Sequence, residues 1–133
     1  MDLCPAQEHE IQGIPEMASQ GRIYRYPFFV YWLLTKLGLL FLLKKKGAIL
    51  GYVCFLPLLW WSVFVMQICV GEAHRSKGLG TVMMYRMRAY LKKKYRTKNF
   101  YAHTVKRKSL EFFLKNGWNP VTKFFGLTVI QRN

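Results

Sequence analysis

The sequence predicts a mixed α/β (α+β) fold, a central mixed sheet flanked by helices, and three observations carry that expectation. Two apolar runs of strand length flank a Lys44-Lys45-Lys46-Gly47 turn, an amphipathic pattern runs from Gly78 to Tyr95, and short strand and helix patterns alternate from Asn99 onward. At about 100–200 residues per domain, the 133 residues predict a single domain over residues 1–133. A hydrophobic content of 52% with 17% aromatics excludes disorder and supplies a core.

Ala6 to Gln20 sets Ile11, Ile14 and Met17 at helical spacing, with acids near the start and Gly21 just past the end, and predicts a first helix that Gly13 and Pro15 weaken. Ile23 to Lys36 predicts a second, carrying Phe28, Phe29, Trp32 and Leu33, with Leu37 next, although its aromatic content would also suit a strand. Leu39–Leu43 and Ala48–Leu56 read as strands joined by the lysine turn, and Pro57 ends that ladder. Leu58–Trp60 connects to a strand over Trp61–Val70, where Ser62, Phe64, Met66 and Ile68 alternate with Val63, Val65, Gln67 and Cys69. Strands this apolar belong mid-sheet with both faces covered. In the Gly78–Tyr95 helix, Leu79, Val82, Met83, Tyr90 and Leu91 share a stripe, while Arg88, Lys92 and Lys93 lie elsewhere. Asn99–Thr104 is a strand that sets Phe100, Ala102 and Thr104 against Tyr101 and His103. Ser109–Asn116 is a short helix closed by Gly117, and Trp118–Phe124 and Leu127–Gln131 are strands with Gly126 in the turn.

Hydropathy alone would allow a membrane hairpin, since Gly47 to Val70 carries no formal charge and Pro27 to Leu43 only Lys36. Gly51, Pro57, the lysine turn and the β-branched and aromatic composition favour buried strands instead, so a membrane is not among the expected partners. Lys and Arg number 21 against 6 Asp and Glu, a net charge of +15, which points to an anionic partner and disfavours a strongly cationic one. Cys4, Cys54 and Cys69 form no C-x-x-C pair, so neither a disulfide framework nor a zinc knuckle is expected, and no metal site. A reducing, cytoplasmic location fits them. The start, Met1-Asp2-Leu3-Cys4-Pro5, is unlike a secretory signal.

The segment Val70-Gly71-Glu72-Ala73-His74-Arg75-Ser76-Lys77-Gly78-Leu79-Gly80-Thr81 lies at a strand-to-helix junction and carries the chemistry. Glycines let a ligand approach the backbone, the helix start offers unpaired amides with a favourable dipole, and Arg75 and Lys77 add formal charge; together they suit a diphosphate. Neither G-x-G-x-x-G nor G-x-x-x-x-G-K-[ST] is present. What remains is R-x-x-G-x-G, from Arg75 to Gly80, a short motif that an ordinary helix start also produces.

That motif resembles the acetyl-CoA loop, [RQ]-x-x-G-x-[GA], of the GCN5-related N-acetyltransferase (GNAT) family. The likeness continues in order along the chain: Cys4-Pro5-Ala6 with Glu8 to Met17 looks like the family's first strand and helix, Gly51-Tyr52-Val53 its third strand, and Leu110 to Trp118 its late helix and Gly-aromatic exit. The resemblance implies a mostly antiparallel sheet and an acyltransferase using acetyl-CoA as co-substrate, with a small-molecule or peptide amine as acceptor. It implies that backbone groups around Ile68, Cys69 and Val70 hold the pantetheine and that Arg75, Ser76, Lys77, Gly78, Leu79, Gly80 and Thr81 surround the diphosphate. An amine would attack the acetyl carbonyl directly. Lys106 stands where the family often has a CoA-contacting asparagine, and Phe113 where its usual general acid is a tyrosine; a phenyl ring has no proton to give.

The proton-handling groups are therefore left to candidates. Glu72, just past the strand, is the carboxylate candidate base, although a loop acid paired with Arg75 is the plain alternative. Tyr101 and His103 are further candidates, with Tyr85 and Tyr52 as substitute acids. His74 suits packing, Gln67 is the polar residue on the strand itself, and Cys69 reads as a small buried residue rather than an acyl carrier. The runs from Lys92 to Lys98 and Lys106 to Lys108 read as a solvated helix end and a second basic patch, with nucleic acid the lesser candidate partner. A second copy of the chain is also a candidate partner. The competing reading is a non-catalytic acyl-CoA or nucleic-acid binding module on the same fold, motivated by Phe113 and the charge.

Overall fold

The computed structural model describes residues 2–21, 25–58, 61–75, 77–104, 107–124 and 127–132. Its strands are β1 (Asp2–Pro5), β2 (Leu40–Lys45), β3 (Ala48–Leu58), β4 (Ser62–Val70), β5 (Asn99–Thr104), β6 (Asn119–Phe124) and β7 (Leu127–Arg132). Its helices are α1 (Ile14–Gln20), α2 (Phe28–Lys36), α3 (Leu79–Tyr95) and α4 (Arg107–Lys115). This is the expected α+β class with a mostly antiparallel sheet; the β4–β5 pair is parallel. The chain forms two compact units, Met1–Phe55 with Gln67–Ala89 and Leu56–Met66 with Tyr90–Asn133.

In the first unit the strands follow the order β1-β2-β3-β4. The lysine turn closes the β2–β3 hairpin with Lys46 at φ +51° and Gly47 at φ +81°, the two left-handed residues that match the twist of a two-residue hairpin loop. The register shifts between Leu43↔Gly51 and Lys44↔Ile49, so Leu50 has no opposite residue on β2; its carbonyl accepts from the Gly71 N–H at 2.7 Å instead. Leu40 to Leu43 and Gly51 to Phe55 are buried without alternation, as both-face coverage requires.

Behind the first strand, the predicted helix from Ala6 to Gln20 resolves into two pieces. Asp2–Pro5 pairs with β2, Glu8–Glu10 forms a 3-10 turn, and α1 begins at Ile14 because Gly13 and Pro15 mark a helix start: proline fits the first turn, where its missing N–H costs nothing. The second helix starts at Phe28 behind Pro27, later than the sequence pattern suggests, and Ile23 is outside the described residues. Pro57 lies within β3 rather than ending it, in the exposed Leu56–Leu58 portion where a lost ladder donor is cheap. Trp61 is a left-handed turn residue, φ +56°, and β4 starts one residue later.

In the second unit the order is β4-β5-β7-β6. β5 follows its predicted bounds, with Phe100 and Ala102 buried and Tyr101 half-buried. The C-terminus of α4 is a Schellman ending: Trp118 N–H donates to the Phe113 carbonyl at 3.0 Å, Gly117 N–H to Leu114 at 3.1 Å, and Gly117 sits at φ +86°. Its accompanying apolar contact is Phe113 against Trp118, ring centroids 5.0 Å apart, both buried. The predicted turn glycine, Gly126, lies outside the described residues.

Candidate functional site

The junction from β4 to α3 is built within the first unit. Alternation along β4 sends Ile68 and Val70 to one face, where they pack on a cluster of Leu43, Leu50, Leu79 and Met83. Leu79 is the first residue of α3, so this contact fastens the helix start to the strand end. Gly51 on β3 allows the approach: a Cβ there would collide with the Cys69 carbonyl oxygen and stand 3.2 Å from Val70 Cα. Between strand and helix, Gly71 is buried, Glu72–His74 forms one 3-10 turn closed by His74 N–H to Gly71 O at 2.9 Å, and Arg75 is extended.

Gly78 is exposed at φ +74°, a backbone that disfavours any side chain, and a Cβ built on it meets nothing within 4 Å. The first bond of α3 is Val82 N–H to Gly78 O at 3.2 Å, which leaves the amides of Leu79, Gly80 and Thr81 ahead of the helical ladder. With the positive end of a long helix and exposed Lys77 beside them, the donors have the chemistry an anion calls for. Arg75 contributes differently from the expectation of a second charge for the ligand. Its Nε donates to the Val70 carbonyl at 3.1 Å, and its buried Nη2 lies 3.3 Å from where a Cβ on Gly21 would be. The guanidinium thus ties the loop back to the end of β4.

Cys69 occupies the other face of β4. Its thiol donates weakly to Met17 O at 3.6 Å, and burial pushes its pKa up, against the pull of the Arg75 guanidinium. Gln67, two residues earlier on that face, accepts from the hydroxyls of Tyr52 at 2.8 Å and Tyr31 at 3.0 Å. Tyr26 N–H donates in turn to the Tyr31 oxygen at 3.2 Å. Burial pushes both tyrosines above the ordinary value, so the Tyr52 hydroxyl is committed to Gln67 and is a poor acid. Sequence reasoning missed this buried cluster; a lone amide in the apolar run of β4 was the available signal.

Among the candidate proton-handling groups, Glu72 is exposed and, among the described residues, has no ion pair with Arg75. Tyr101 is half-buried on β5, and His103 lies two residues further along the same strand. Tyr85 is exposed on α3. His74 lies against Gly71, its Cδ2 3.5 Å from a Cβ built there, which suits packing. Ser76 and Lys106 lie outside the described residues. Phe113 is the C-terminal packing partner of Trp118, as described above. The parallel ladder between β4 and β5 consists of Ser62↔Asn99, Val63↔Phe100 and Phe64↔Tyr101 and ends there among the described residues, whereas β4 continues to Val70.

Comparisons with known proteins agree with this architecture. The model of the acetyltransferase (GNAT) family matches residues 8–118. No curated protein matches in sequence. Among solved structures, Ard1 from Thermoplasma volcanium superimposes with a TM-score of 0.86 at 11% identity over 98% of this chain and 95% of that one. The PaiA N-acetyltransferase from Thermoplasma acidophilum, in complex with coenzyme A, gives 0.80 at 10% identity over 99% and 98%. Naa50 from Arabidopsis thaliana, in complex with the bisubstrate analogue CoA-Ac-MVNAL, gives 0.78 at 14% identity over 99% and 97%. The structural neighbours share the fold, and the family model spans most of the chain, the β4–α3 junction included: the chain belongs to the GNAT acetyltransferase family.

Proposed function

We propose that residues 1–133 form one acetyl-CoA-dependent N-acetyltransferase domain that moves an acetyl group to a primary amine by direct attack. The observation that carries the reading is the open, left-handed Gly78 beside the amides of Leu79, Gly80 and Thr81, which precede the helical ladder and suit a diphosphate. Lys77 adds charge from the rim. Beyond Phe64, β4 has no β5 partner among the described residues, and the backbone of Ile68, Cys69 and Val70 on that side suits the amide groups of a pantetheine arm, in the manner of strand addition. PaiA and Naa50, whose complexes hold coenzyme A and a peptide-linked CoA, support the co-substrate and make a peptide amino terminus the first acceptor to try.

The thioester supplies an activated acetyl group: the amine nitrogen bonds to the carbonyl carbon, the C–S bond breaks, and the amine proton leaves to a base while sulfur departs as thiolate or thiol. The chain's part is positioning and proton handling. Glu72, exposed near the strand end, is the assigned base, and Tyr101 and His103 are the assigned β5 groups of the acceptor side. Ser76 and Lys106 complete the proposed CoA contacts, and the cytoplasm, where thiols such as Cys54 stay reduced, is the proposed location. Phe113, buried and without a hydroxyl, favours one competing reading, an acyl-CoA binding module that does not turn over.

Titration calorimetry with CoA and a CoA-release assay across amines and peptides test the proposal. Wild-type protein should bind CoA, and Gly78→Glu, which puts an anion into the cradle, should weaken binding by more than about tenfold. Binding without release across the panel would favour the non-catalytic module. Absent binding, or binding indifferent to Gly78→Glu, would overturn the site.

A further inference from the structure

The apolar surplus of the Pro27–Leu43 stretch is only half explained by the core. Leu39 to Leu43 are buried, but α2 covers just one side of itself: Tyr31 and Leu34 are buried, while Phe28, Phe29, Trp32, Leu33 and, at its end, Leu37 are between 39% and 66% exposed. At about 100° per residue these five side chains occupy one arc of about 180°, interrupted only by Lys36. A helix apolar on all sides is normally enclosed, and so large an unenclosed face marks a surface that something covers.

The surrounding charge identifies what. Glu8 is paired with Lys36 at 2.8 Å and also accepts from Trp32 Nε1 at 2.9 Å, and Glu10 is paired with Lys44, so the acids beside this face are neutralised. Lys45 and Lys46 stand exposed on the turn that ends β2, the strand α2 packs against. The whole chain carries +15. A second copy would bring the same positive charge against itself, whereas an anionic lipid surface answers both the charge and the apolar arc. Phe, Trp and Leu with lysine nearby are the residues that settle at the headgroup boundary. None of the described helices is long and apolar enough to cross a membrane, and α2 has the residues of a helix that lies on its surface.

We propose that α2 is a peripheral membrane-docking face that recognises anionic phospholipid. This departs from the expectation that a membrane is no partner, and it is independent of the acetyl-transfer reading. The test is flotation of the full chain with phosphatidylcholine vesicles, with and without phosphatidylserine. Binding should require phosphatidylserine, and both Phe29→Glu/Leu33→Glu and Lys45→Glu/Lys46→Glu should weaken it by at least about tenfold. Circular dichroism and urea melts check that the variants fold, and Leu37→Gln, at the edge of the arc, serves as a milder substitution expected to weaken flotation in the same direction. Lack of flotation, flotation indifferent to Phe29→Glu/Leu33→Glu, or a dimer in buffer that the same pair dissociates would overturn the proposal, the last by assigning the face to a second copy.

Discussion

At the scale of single residues, the site depends on what is missing as much as on what is present. Gly51 has no side chain where one would strike the Cys69 carbonyl and press on Met83 Cε, 3.1 Å away. Gly51→Ala should therefore cost about 1–3 kcal/mol in urea unfolding and also weaken CoA binding, because the strand that moves is the one proposed to hold the pantetheine. The thiols give a second expectation. Burial pushes Cys54 up to about 12 and raises Cys69 as well, whereas Cys4 is half-buried at the edge of the first unit's sheet. At pH 8 a thiol with that value holds about four orders of magnitude less thiolate than an equal amount fully ionised, so alkylation followed by peptide mass spectrometry should mark Cys4 in the folded protein and Cys54 and Cys69 only on unfolding. Fast labelling of Cys69 would instead reopen it as an acyl carrier.

At the scale of elements, one short piece near the N-terminus is held by charge. The 3-10 turn at Glu8–Glu10 is tied to β2 by Glu10–Lys44, and Gln7 N–H adds a 3.0 Å bond to the same carboxylate. The Lys44 hydrogen bond holds the Glu10 carboxyl below its ordinary value of 4.5, with partial burial opposing and the Gln7 bond adding to it. A lowered folded value means that this stabilisation is present above the ordinary carboxylate range and is lost as pH falls through the folded value. Glu10→Gln should accordingly lose about 1 kcal/mol against wild type at pH 7 and nothing at strongly acidic pH, read from urea melts at both; a difference that persists in acid would remove the ion pair as its source. Other elements were plain in advance. Alternation at Phe100, Tyr101 and Ala102 marked β5, and Gly117 followed by Trp118 marked the end of α4. The first helix was misjudged because periodic Ile11, Ile14 and Met17 outweighed Gly13 and Pro15, although those two are start signals rather than blemishes.

At the scale of the whole molecule, what the amino-acid order determined by itself is what local periodicity and backbone chemistry encode: the strand and helix types, the lysine hairpin, the R-x-x-G-x-G junction and the basic charge. Those follow from neighbours a few residues apart, where sterics and hydrogen bonding act without knowledge of the fold. Packing decided the rest. That Arg75 turns back to Val70, that Gln67 collects the hydroxyls of Tyr31 and Tyr52, and that Phe113 serves a helix end all depend on segments distant in the chain or on which rotamer burial permits. The same holds for α2, whose apolar residues look alike in sequence; only through-space packing on β2 chose which of them the core would take and which would stay in water.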